Sequence, residues 1–181
     1  GNDLEPLIIK KFEQIMGMKC WKPTDMYRVK DFPYLNMNFE GVTGTPKQYI
    51  PVEIKVVTKR GERHYNECLA YYTSQRGFST VPKNYSIAEN SIQTKAAQYG
   101  IPPYYYTQLQ DEMMALNAPY GYLCTLWEST WTVHMYFIWR DPEKQHAIII
   151  NGSKAWDRVM ELRKLRGLPE QLYNIGDNNV N

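Results

Sequence analysis

From Tyr49 to Val57 the chain alternates: Ile50, Val52, Ile54 and Val56 fall on one parity, and Tyr49, Pro51, Glu53 and Lys55 on the other. Side chains two apart share a face, so this run predicts a β-strand that sends Glu53 and Lys55 out together over an apolar backing. A different period governs the start of the chain. Leu4, Ile8, Phe12 and Ile15 recur at helical spacing, which predicts a helix over 4–16, capped by Asp3, tolerant of Pro6 in its first turn and stopped by Gly17. A second helix opens at Pro102 and Pro103 and carries Tyr106, Leu109, Met113 and Leu116 as its core stripe until Asn117 and Pro119 end it.

Shorter signals fill the intervals. Residues 26–29 and 36–42 are β-prone, with Asp31-Phe32-Pro33 as turn chemistry between them, and Gly44-Thr45-Pro46 marks the turn into the clearest strand. After the second helix, strands are expected over 122–128 and 132–140, joined near Ser129-Thr130, followed by a helix over 155–165 with Asn151-Gly152-Ser153 as a break or cap. Residues 58–100 read as an inserted or extended connection, with a helix near 62–74, a break at Arg76-Gly77 and an unassigned piece over 87–99. Residues 169–181 form a polar tail. One domain over 1–168 accounts for the whole.

Composition narrows the class. The chain has 181 residues, 43% hydrophobic and 22% charged, which is ordinary globular usage for a single domain. No apolar stretch is long enough to span a bilayer and no secretory leader pattern is present, so the expectation is a soluble, non-secreted protein. Cys20, Cys68 and Cys124 are odd in number and far apart, which argues against a disulfide framework or zinc site and for a reducing cytoplasm. A net charge of +2 decides nothing about nucleic acid, because a local patch is what binds phosphate. Lys154, Arg158, Arg163, Lys164 and Arg166 offer such a stripe, or simply a solvated helix face. His64, His134 and His146 show no metal spacing, and no Ser or Cys nucleophile motif occurs.

The candidate chemistry lies on the alternating strand of residues 49–57. Glu53 and Lys55 put an acid and a base side by side, and an antiparallel return of the preceding strand brings Glu40 near Glu53. Two adjacent carboxylates repel unless a cation sits between them, and a hard cation such as magnesium takes oxygen ligands of this kind. Glu40, Glu53 and the Ile54 carbonyl are then the candidate ligands, and Lys55 the group that positions or deprotonates a water. Taken alone, Glu-x-Lys on a strand is usually a solvated ion pair. Glu5 borders the apolar face of the first helix, where it either supports the site or simply favours the helix N-terminus. On the second helix, Tyr105, Gln108 and Glu112 share one side next to the core stripe.

In order along the chain, Glu5 at a helix start, Asn38-Phe39-Glu40-Gly41, Glu53-Ile54-Lys55 and Tyr105-x-x-Gln108-x-Gln110 resemble the YqaJ-type viral recombinase family, the phage lambda exonuclease type within the PD-(D/E)xK nucleases. The resemblance covers about Glu5 to Leu165. It implies an α/β core of order α-β-β-β-α-β with a central mixed sheet flanked by helices. It also implies magnesium dependence, with manganese as substitute, and exonucleolytic hydrolysis of DNA in phage or mobile-element recombination. By the same resemblance Glu40, Glu53, Lys55 and Gln108 are catalytic. Glu40, Glu53 and the Ile54 carbonyl hold the metal, with Glu5 reaching it through water. Tyr105 and Gln110 support the site or the DNA, and Asp31 lies near a second upstream acid. A homotrimer and a single-strand annealing partner protein are further implications.

Three departures bear on these expectations. Glu40 stands where the family usually has Asp in an S-P-D-G context, one methylene longer. The sequence opens at the helix of Glu5, whereas the family keeps 5′-phosphate-binding residues upstream of it, so end-dependent digestion is not implied. Residues 58–100 exceed the corresponding connection in the lambda type. The alternatives are a nucleic-acid-binding protein with weakened catalysis on this fold, and an endonuclease acting on DNA or RNA.

Overall fold

The computed structural model of the chain describes residues 2–29, 31–65 and 99–168. A short 3-10 turn, Asn2–Leu4, leads into helix α1, Glu5–Met16. Pro6 sits in its first turn as expected, but Leu4 rather than Asp3 occupies the N-cap position and no side chain caps the helix. Gly17, at φ 66°, ends it.

Strands β1 (Cys20–Trp21), β4 (Val42–Thr45), β5 (Gln48–Val57), β6 (Tyr120–Trp127) and β7 (Thr132–Trp139) form one five-stranded sheet in the order β1-β4-β5-β6-β7. Only β5 and β6 run parallel, and the other neighbours are antiparallel, so the sheet is mixed. The parallel pair needs a crossover, which contains helix α2, Pro103–Ala115. Among the described residues, strands β2 (Tyr27–Val29) and β3 (Phe32–Met37) pair only with each other, as a separate hairpin. The expected strand over 36–42 is therefore two pieces. Its first residues end β3, its last begins β4, and Glu40 lies in a bend between them.

Helices cover both faces of the sheet. Phe12 of α1 meets Tyr122 edge-on at 5.3 Å, while Leu109 of α2 fills the space over Gly121. Positions 121 and 122 point to opposite faces, so α1 and α2 do too. Strand β5 is consequently buried on both sides from Pro51 to Ile54, and Glu53 lies under α2 rather than on an open face. The core gathers Ile8, Phe12, Val52, Ile54, Leu109, Met113 and Leu123.

The last helix, α3, is longer than its apolar pattern predicts: it runs Pro142–Leu165 and passes through Asn151-Gly152-Ser153 without a break. Asp141 caps it by accepting from the Lys144 N–H, and Pro142 takes the first turn. Gly152 is there for space. A Cβ at that position would come within 2.4 Å of the Tyr34 ring, whose hydroxyl donates to the Ile149 carbonyl at 3.0 Å and so docks the β2–β3 hairpin on α3. The seven residues 59–65 are helical, starting before the expected 62–74, and the remainder of that expectation, with Arg76-Gly77, 87–98 and the 169–181 tail, lies outside the described residues. Cys20 and Cys124 are free thiols, both buried, and burial pushes both up to about 12. Among the described residues no helix is long and apolar enough to cross a membrane.

Asp111 is a weak point between α2 and α3. Among the described residues its buried Oδ1 has no hydrogen-bond partner, and burial pushes the carboxyl from 3.8 up to about 6 against the pull of Lys144. The folded chain thus holds this proton more tightly than the unfolded one, so stability falls as pH rises from the ordinary carboxylate range to about 6 and is level above it. Asp111→Asn is expected to be more stable than the parent at pH 7.5 by about 1–2 kcal/mol after allowing for partial solvation, with the two converging near pH 4. Urea unfolding at both pH values measures this, and a variant no more stable at pH 7.5 refutes it.

Candidate active site

The hairpin register builds the site. Val42 pairs with Pro51 and the Val52 N–H donates to the Gly41 carbonyl at 2.9 Å, so continuing the pairing past β4 sets Glu40 opposite Glu53. Glu40 approaches Glu53 from this bend. On β5, Val52 turns its N–H toward β4. Ile54, two residues on, turns its N–H and carbonyl to that same edge, beyond Gly41. The Ile54 carbonyl therefore leaves the strand on the side where Glu40 approaches.

Glu53 has no exposure at all. Its Oε1 accepts from Gln108 Nε2 at 2.7 Å and is ion-paired with Lys55, whose ammonium lies 5.7 Å from the centre of the Tyr105 ring. Gln108 also donates to Glu112 Oε1 at 3.2 Å, and thus ties two buried carboxyls together. Among the described residues, no amide, ammonium or alcohol donor reaches Glu53 Oε2. A proton on Glu112 or a cation is what can offset it. Burial, then the charge of Glu53, then a hydrogen bond with it, hold the Glu112 carboxyl well above the usual range, which favours its protonated form.

Glu5 and Glu40 meet through a lysine that the sequence did not single out. Lys22, just after β1, places its ammonium 2.5 Å from Glu5 Oε2 and 3.4 Å from Glu40 Oε2. Burial first, then the charges of Glu5 and Glu53, raise the Glu40 carboxyl, and Lys22 and Lys55 only partly offset this. The site thus carries more negative charge than its two ammonium groups neutralise. Among the described residues no three His, Cys, Asp or Glu side chains stand close enough for a ready-made metal cluster. A cation here would rest on two carboxylates and a main-chain carbonyl.

The other expected residues lie elsewhere. Gln110 is fully buried but faces away from Glu53: its Nε2 donates to the Trp139 carbonyl at 2.9 Å and its Oε1 accepts from the Asp141 N–H at 2.8 Å. It clamps α2 to the β7–α3 corner. Asp31 is exposed at the turn of the β2–β3 hairpin, the opposite end from Tyr27, which packs on Phe39 beside Glu40. The structure does not bring it to Glu53. Tyr105 does reach the site, between the Lys55 ammonium and the Tyr65 ring at 6.0 Å. Glu112 had a periodicity signal, four residues after Gln108 on the same side. Lys22 had none, because only packing of the β1 loop against α1 brings it in.

No protein-family model matches the chain, and no curated protein matches it in sequence. Among solved structures it is similar to an alkaline exonuclease (LHK-Exo) from Laribacter hongkongensis, with TM-score 0.51 and 12% identity over 92% of this chain and 72% of that one. At that identity the likeness is one of fold: a central mixed sheet flanked by helices, in an arrangement also used by a nuclease.

Proposed function

We propose that the chain is a PD-(D/E)xK-type nuclease that hydrolyses DNA phosphodiester bonds with the help of magnesium. The observation that carries this reading is the juxtaposition of Glu53 and Lys55 on the central strand with Glu40 opposite, in a site with excess negative charge. An exposed ion pair has no reason to be buried under a helix that supplies Gln108 and Glu112 to it. The fold shared with an alkaline exonuclease favours exonuclease over endonuclease action.

The residues fit a hard divalent cation, since the candidate ligands are all oxygens and, among the described residues, Glu53 Oε2 has no donor other than a proton shared with Glu112. Glu40, Glu53 and the Ile54 carbonyl would hold it, with Glu5 beside Glu40. Bound there, such a cation supplies charge neutralisation at the phosphate and a more acidic water. Gln108 fixes the Glu53 carboxylate, leaving that side chain little rotational freedom. Lys55, held between Glu53 and the Tyr105 face, is placed to orient the attacking water and to offset charge that develops on the phosphoryl oxygens. Burial and the Glu53 charge favour the protonated form of Glu112, which limits the repulsion between the two carboxyls.

Purified protein is expected to degrade linear duplex DNA with magnesium, to stop in EDTA, and to spare covalently closed circles. Lys55→Ala should lower the rate by at least about a hundredfold. Unchanged magnesium-dependent cleavage in that variant refutes the assignment, and cutting of closed circles replaces exonuclease with endonuclease.

A further inference from the structure

The two lysines of the site are held differently. Lys55 is mostly enclosed, with its side chain 23% exposed, and is fixed by Glu53 and the Tyr105 ring. Lys22 is half-exposed and reaches in from the loop after β1. Its ammonium occupies the position of a counter-ion between Glu5 and Glu40, two neighbouring carboxylates whose like charges need one. Glu40 is therefore claimed twice, by Lys22 on one side and by the cation of the proposed reaction on the other.

We propose that Lys22 is a built-in cation that competes with the divalent ion for Glu40 and sets the metal concentration at which the site fills. This rests on the metal-dependent reading above. A divalent ion on Glu40 repels the neighbouring ammonium and withdraws the carboxylate charge that holds it, so metal binding and the Lys22–Glu40 contact oppose each other. The fold leaves Lys22 somewhere to go. It lines an open cleft of about 590 Å³ along α1, together with Glu5, Ile9, Lys10, Glu13 and Cys20. Glu13, whose Oε1 accepts from the Cys20 N–H at 2.9 Å and whose Oε2 lies 3.5 Å from the exposed Lys19 ammonium, is a second carboxylate in that cleft. A lysine is suited to such an exchange, being a compact charge on a flexible four-carbon stem with no fixed fork geometry.

A role as a mere tie between α1 and the Glu40 bend predicts the opposite response to removal of the charge. If Lys22 only holds the two carboxylates in place, losing it loosens a ligand and weakens metal binding. If Lys22 competes, losing it frees Glu40 and tightens binding. Mn2+ titration of the metal-stripped protein without DNA, followed by the electron paramagnetic resonance signal of free Mn2+, separates the two. Lys22→Met is expected to bind Mn2+ about tenfold more tightly than the parent. Lys22→Gln, which can still donate to Glu5, should shift in the same direction and covers the case in which Lys22→Met fails to fold, while Lys22→Arg should titrate like the parent. Equal or weaker Mn2+ affinity in the folded neutral variants overturns the competing role and leaves the nuclease reading standing. No Mn2+ binding by parent and variants alike overturns the metal-dependent reading, and this inference with it.

Discussion

Glu53→Gln is expected to lower magnesium-dependent DNA hydrolysis about a thousandfold or more while leaving the chain folded. Charge stabilisation by a bound divalent ion contributes several kcal/mol to phosphoryl transfer, and roughly 4 kcal/mol is three orders of magnitude in rate. The variant removes one anionic oxygen ligand without removing volume, so the packing between β5 and α2 is kept. The new amide has partners already in place: its oxygen can accept from Gln108 Nε2, and its NH2 can donate to Glu112. With the Glu53 charge gone, the Glu112 carboxyl should also come down from its raised value, since that charge is its second-largest cause after burial. Steady-state cleavage of end-labelled linear duplex, paired with a thermal melt, tests the claim. Activity within tenfold of the parent in a folded variant would falsify Glu53 as a ligand. A collapsed melt would assign Glu53 to the architecture instead.

That experiment addresses the part of the site that the sequence displays most openly. Glu53 and Lys55 share a face because strands alternate, and no tertiary information is needed to see it. Glu40 opposite Glu53 follows from a short hairpin, although the intervening strand is shorter than its β-prone pattern and Glu40 sits in a bend. What escaped the sequence depends on contacts between distant segments. Lys22 enters only because β1 pairs with β4 and lies along α1. Gln110 shows the reverse error, a motif position carried by spacing alone. Two residues along a helix is a rotation of roughly 200°, so Gln108 and Gln110 point to opposite sides, and Gln110 serves the β7–α3 corner. The first half of α3 was hidden by Ile148-Ile149-Ile150, which has no helical period, and by Gly152, which reads as punctuation but is a docking space for Tyr34. The Asp141-Pro142 start signal was present in the sequence, since an acidic cap before proline opens helices.

The register that makes Glu40 and Glu53 neighbours is itself pinned by a glycine, and Gly44→Ala is expected to be the most damaging single change away from the charged residues. The turn lies at Pro46-Lys47, two residues past the expected start, and Gly44 belongs to β4 with φ 104°, a conformation that side-chain-bearing residues rarely adopt. A Cβ there would stand 2.3 Å from the Gln48 carbonyl oxygen, which is backbone and has no rotamer by which to withdraw. Strain of this kind costs roughly 2–4 kcal/mol, a large share of a small domain's stability. The chain can relieve it by opening the Gly44–Tyr49 pairing, which lets β4 slip against β5. A slip of one residue sends Glu40 to the other face of the sheet, away from Glu53. Loss of cleavage should therefore exceed the loss of folded population at low temperature, where the variant is still largely native. Urea midpoints and cleavage rates measured together at 10 °C decide this. A midpoint equal to the parent's means that the β4–β5 turn tolerates a Cβ and is not what sets the register. A lowered midpoint with proportionate activity means that the hairpin supports the fold without tuning the site.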